Sequence, residues 1–152
     1  MTKRQNKVCY ICIILCIVLE ITAAIGAYAA NYYTKTRMGM LRHVVYLNGK
    51  WERLVNITEL KWLAILISII LIIFVYVLYK KQKKHSMTVK LVTVITTVIS
   101  LWTVFYLLFY NTGINRAYYI LSICFIMITV FQHIICYCLY SIKVKNQFNR
   151  RD

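Results

Sequence analysis

The run VCYICIILCIVLEITAAIGAYAANYY, residues 8–33, decides how this chain is built. It is mostly apolar, follows Lys3, Arg4 and Lys7, and is longer than the roughly 20 helical residues that cross a bilayer core. Cys9, Cys12, Cys16, Glu20, Ala23, Ala27 and Ala30 recur along it at steps of three and four, so they share one helix face. Small side chains on a spanning helix let another helix come close, and one acid among them has to face protein rather than lipid. That face is read as the seam against which the other helices pack.

Working outward, the remaining apolar residues fall into three more blocks. The chain has 152 residues, 61% of them hydrophobic, with no proline to break a long helix. Further spans are expected at about 62–79, 91–110 and 117–140, with an outer loop at 34–61, an inner loop at 80–90 and a basic tail at 141–152. The net charge of +15 does not argue for a nucleic-acid partner, because lysine and arginine sit at the ends of the apolar blocks, where lipid head groups lie. Twelve of the 19 basic residues fall on the side of the two termini and the inner loop. The positive-inside rule then puts both termini in the cytoplasm, with the plasma membrane as the expected location. Ala27-Tyr28-Ala29 resembles a signal-peptidase site, but the apolar run continues to Tyr33 and Glu20 interrupts it. An uncleaved first helix is therefore expected.

The outer loop carries the strongest local signal outside the spans. Val44-Val45-Tyr46-Leu47 and Lys50-Trp51-Glu52-Arg53-Leu54-Val55 flank Asn48-Gly49, a pairing typical of a tight hairpin turn. A small β-hairpin is expected, with Tyr46 opposite Trp51. The expected fold class is thus an all-α membrane protein, a four-helix transmembrane bundle with one extracellular β-hairpin. Asn56-Ile57-Thr58 is a glycosylation sequon if this loop faces a secretory lumen.

Chemistry inside the spans is sparse. Glu20 lies twelve residues into its span, roughly 18 Å deep at helical rise, where a carboxylate must be paired or neutral. The third span has a hydroxyl row, Thr93, Thr96, Thr97, Ser100 and Thr103, of which Thr97 and Ser100 are the expected donors to Glu20. Ser122, Thr129, His133 and Cys136 share a face of the fourth span, with Gln132 beside them. His133 lies roughly 10 Å from its inner end. Helix packing or ion coupling are the two roles open to Glu20, Thr97, Ser100 and His133. All six cysteines fall inside spans, which excludes an extracellular disulfide framework. They read as small packing residues, with S-acylation an alternative for Cys9, Cys12, Cys136 and Cys138. No nucleophile–base set, phosphate-cradling glycine loop or zinc spacing is present, so neither catalysis nor a cofactor nor a metal is expected.

Four spans, internal termini, a long first outer loop with β-signal and Gly39-Met40-Leu41-Arg42 within it resemble the claudin and peripheral-myelin-protein superfamily. The family's loop tryptophan and cysteine pair have no counterpart here. The resemblance implies lateral assembly, as an adhesion component or as an accessory subunit beside a channel or receptor. The expected partners are membrane lipid and other membrane proteins or a second copy. Arg42, Tyr46, Lys50, Trp51 and Arg53 are the expected contact residues, because exposed aromatics and arginines carry interface energy. Glu20 in the first of four helices is similar to the carboxylate of small multidrug transporters, which gives an ion-coupled transporter as an alternative. A bacteriocin-immunity-type protein is a second alternative.

Overall fold

A long apolar run between basic ends, with no proline in it, makes the first helix of 35 residues (α1, Thr2–Thr36). The computed structural model describes residues 2–54, 56–81 and 87–148. Among these the regular structure is helical throughout: α1 is followed by α2 (Met38–Leu54), α3 (Ile57–Lys81), α4 (Met87–Phe109) and α5 (Tyr118–Phe148). The stretches Lys7–Thr36, Glu59–Val77, Met87–Phe109 and Tyr118–Ile142 are each long and apolar enough to cross a membrane. The shortest has 19 residues, or about 28 Å at helical rise, close to the thickness of a hydrocarbon core. The chain is an integral, multi-pass membrane protein.

Helix α5 is the centre of the bundle. It runs antiparallel to both α1 and α4: Cys138 meets Cys9 and Cys12 of α1 where Gln132 meets Glu20, and Cys136 meets Thr93 and Thr96 of α4 where Thr129 meets Thr103. Residues on two sides of α5 are therefore buried, among them Tyr118, Leu121, Ser122, Thr129, Gln132, His133, Ile135 and Cys136. The apolar core lies at one end, where Ala27, Tyr106, Ala117, Tyr118 and Leu121 pack together. Phe125 adds an edge-to-face contact to Tyr106 at 4.8 Å. Helix α3 is held least. Ile65, Ser68 and Val75 are buried, while Leu63, Leu66, Ile70, Ile73 and Phe74 face outward, as lipid-facing side chains do.

The expected β-hairpin is absent. Its residues 44–54 lie in α2 and Val55 lies outside the described residues; no glycine among the described residues has a positive φ, so Asn48-Gly49 is not a hairpin turn. The physical reason is the period. Met40, Val44, Leu47, Asn48 and Trp51 are buried or half-buried, at steps of three and four, whereas Arg42, Val45, Tyr46, Lys50 and Arg53 are exposed. A helix can lay that stripe on the ends of the bundle. An isolated two-stranded hairpin would have no third strand to cover it. Tyr46 and Trp51 consequently lie on different faces and do not pair.

Helix α2 leaves α1 at Arg37. The backbone bonds Arg37 N to Tyr33 O and Leu41 N to Arg37 O span the junction. Thr34 and Thr36 donate their hydroxyls back to the carbonyls of Ala30 and Tyr32, at 2.6 and 2.9 Å. Such back-bonding bends helices. The turn lets Asn48 Nδ2 reach the Arg116 carbonyl at 2.8 Å, while the Tyr119 hydroxyl donates to Glu52 Oε1 at 2.7 Å. Two polar bonds and the Trp51–Tyr119 ring contact thus clamp α2 over the start of α5.

Gly49 gives a direct test of helix against hairpin. A Cβ built there meets nothing within 4 Å. Gly49→Ala is expected to raise stability by about 0.5–1 kcal/mol, the usual gain for alanine over glycine inside a helix. Thermal unfolding in mild detergent measures it; a clear loss of stability would indicate a left-handed turn conformation at this position.

Candidate functional site

The stripe of small residues on α1 is the face that meets α5. Cys16 and Ala27 are buried, and Cys9, Cys12, Glu20, Ala23 and Ala30 are half-buried along the same line. Near its middle stands the pair that the membrane makes necessary. With its amide oriented to satisfy both sides, Gln132 Nε2 donates to Glu20 Oε1 at 2.8 Å and to Oε2 at 3.2 Å. A carboxylate in hydrocarbon needs a donor, and Gln132 supplies it from the helix that packs most closely on α1. Toward the chain start, the Cys138 thiol interacts with those of Cys9 and Cys12. No group of three metal-ligating side chains is arranged to hold an ion among the described residues.

Thr97 and Ser100 are not the donors to Glu20. Ser100 Oγ donates to the Thr96 carbonyl at 2.8 Å, and Thr97 Oγ1 to the carbonyls of Thr93 and Val94 at 3.1 and 2.8 Å. Both lie on α4, whose buried face meets α5. Of that row, Thr103 meets a hydroxyl of another helix, at 2.8 Å from Thr129 Oγ1. His133 points to neither Glu20 nor a metal. Its Nδ1 lies 2.7 Å from the Thr129 carbonyl, to which it donates, and its Nε2 is buried with no hydrogen-bond partner among the described residues. Cys136 is buried against the hydroxyls of Thr93 and Thr96, so its thiol is not presented to the surface. Cys9, Cys12 and Cys138 lie in the α1–α5 seam.

At the α2 end, the expected contact residues divide. Arg42, Tyr46, Lys50 and Arg53 are all exposed, and steps of four, four and three set them on one outward face of α2. Trp51 is on the inner side, 6.2 Å from Tyr119. Asn56 is exposed and precedes α3; its carbonyl accepts from Glu59 N and Leu60 N, and its Nδ2 donates to Glu59 Oε1 at 2.7 Å. It therefore serves as the start cap of α3.

Between α3 and α5 lies a cleft of about 480 Å³, roofed by Trp51 and floored in part by Leu107 of α4. A second hollow of about 230 Å³ shares Leu71 and Val130 with it and is lined further by His133 and Tyr137. Neither was foreseeable from the run 62–79, which reads as a helix wrapped in lipid. Gln132, Asn48, Glu52 and Tyr119 were also missed as contact residues; their partners are distant in sequence. The signal available for Gln132 was its polarity inside a span, where an amide is itself costly without a partner.

No protein-family model matches the chain, and neither a curated protein nor a solved structure is detectably similar to it.

Two variants separate the polar pairs from plain packing. Gln132→Leu leaves the Glu20 carboxyl without its donor and is expected to cost about 1–3 kcal/mol, the range for a buried polar group left unsatisfied. Glu20→Gln keeps an acceptor in place and is expected to lie near the parent in thermal unfolding; equal losses for the two would argue against the pairing. A double-mutant cycle on Thr103→Val and Thr129→Val should return a coupling of about 0.6 kcal/mol, as for other hydrogen bonds between spanning helices.

Proposed function

We propose that this protein is a non-catalytic four-span subunit that works by lateral assembly with another membrane protein, an accessory role, and that α2 is its contact element. The reading is carried by the outward face of that helix. Arg42, Tyr46, Lys50 and Arg53 project together from a helix whose opposite face is already occupied. Tyr46 exposes 67% of its surface, which is a large apolar ring offered among three cations. Rings and guanidinium groups of this kind form the energetic centre of interfaces. The only carboxylate on α2 is Glu52, which accepts the Tyr119 hydroxyl. The face is thus basic, and it suits a partner with an acidic surface at the same membrane level.

The positive-inside balance supports a topology with this face outside and both termini in the cytoplasm, and the plasma membrane is the proposed location. Inside the bundle, the Glu20 carboxylate is engaged by Gln132 and the α4 hydroxyls bond backbone or Thr129. That arrangement fits packing better than a water-lined ion path, and no separate observation favours the transporter alternative.

A photo-crosslinking residue in place of Tyr46, irradiated in the native membrane, tests the proposal. A discrete protein adduct is expected, with none from the same probe at the lipid-facing Phe74. Reversing the charge of Arg42 and Arg53 to glutamate should lower the adduct yield several-fold. Recovery of the chain alone, at its own mass and with lipid adducts only, would count against assembly.

A further inference from the structure

We propose that the cleft between α3 and α5 is a lipid site, which takes one acyl chain of an anionic phospholipid and holds its phosphate on Lys61. The cleft is open along one side and lined almost wholly by hydrocarbon side chains. At about 480 Å³ it falls within the range of small-molecule sites, about 300–1,000 Å³. The hydroxyls on its walls make no demand on an occupant: Ser68, Ser122 and Thr129 each donate to a carbonyl of their own helix at 2.8 Å. Below, the hollow past Leu71 and Val130 gives a long chain room to continue.

The polar demand is at the other end. Lys61 is the one cation among the lining residues, beside Trp51 at the α2 end of the cleft, with its ammonium 5.8 Å over the Tyr118 ring, and no carboxylate is among them. It stands in the first turns of α3, at the level where lipid phosphates meet the ends of spanning helices. The helix N-terminus adds positive potential there. Glu59, the acid in that turn, accepts from Asn56 Nδ2. An apolar slot with a single cation at its rim is complementary to an acyl chain with an anionic head. A purely apolar occupant, such as a partner's helix, would leave that charge unanswered.

The cleft carries its own reporter in Trp51. Trp62 and Trp102 are exposed, at 60% and 61%, and lie outside the cleft. The Trp62→Phe, Trp102→Phe chain is reconstituted in phosphatidylcholine vesicles that carry a rising fraction of lipid with brominated acyl chains. Brominated phosphatidylglycerol should quench Trp51 at about a fivefold lower fraction than brominated phosphatidylcholine, which is the preference one interfacial lysine confers. Lys61→Gln should bring the two lipids level, and Lys61→Arg should preserve the difference. Ala64→Leu, which fills one wall and leaves the charge in place, should weaken quenching by both. Equal quenching by the two lipids, a preference that survives Lys61→Gln, or a Trp51 that neither lipid reaches would each overturn the site. The inference rests on the cleft and not on the outward face of α2, so a failed crosslink at Tyr46 and a failed lipid preference at Lys61 are separate results.

Discussion

Glu20 and Gln132 meet where hydrocarbon offers neither of them a hydrogen bond, and that meeting sets the arrangement of α1 and α5. Lipid tails are as apolar as leucine, so burial of apolar surface does little to bring spanning helices together. Close backbone approach and polar contacts must do so instead. The small residues of α1 allow the approach; the carboxyl–amide contact selects which face of α5 is met and in what register. A shift of α5 by one residue would turn Gln132 through about 100° and leave the acid without this donor. α4 packs antiparallel on the other side of α5, with the Thr103–Thr129 hydroxyl pair, the Tyr118 hydroxyl on the Leu107 carbonyl, and Cys136 against Thr93 and Thr96 bonding across that seam.

The helices are unequally held. α1, α4 and α5 share polar contacts and a continuous aromatic core at one end, while α3 touches the bundle mainly through small or branched apolar side chains. The gap beside α3 is a consequence of that imbalance. Ser68 of α3 returns its hydroxyl to its own backbone, and Lys61 reaches over the Tyr118 ring of α5. Much of the contact α3 makes is dispersion, which a lipid chain satisfies as well as a helix does. In this protein the element with least internal cohesion borders the cleft, and the element with the most polar clamps, α2, presents the basic face.

The α2 clamp also explains how an isolated amphipathic helix persists outside hydrocarbon. Seventeen residues are marginal for a helix on their own in water. Here both faces are used: Asn48, Glu52 and Trp51 attach the inner one to the start of α5, and Arg42, Tyr46, Lys50 and Arg53 remain on the outer. The same clamp roofs the cleft with Trp51.

The sequence by itself determined that four stretches are long and apolar enough to cross a bilayer, because span length and apolarity are local properties that need no partner. It also marked the α1 stripe, since small residues and one acid at helical spacing already imply a protein-facing side. The outer loop was misread for an equally local reason. Asn48-Gly49 between β-prone residues is a hairpin signal over six residues, and the competing helical period of Met40, Val44, Leu47 and Trp51 becomes decisive only when the start of α5 is there to receive it. Which donor answers Glu20, whether His133 faces it, and the space left beside α3 were settled by tertiary structure alone. Each depends on how helices distant in sequence are rotated and aligned, and no single helix encodes the rotation of its neighbour.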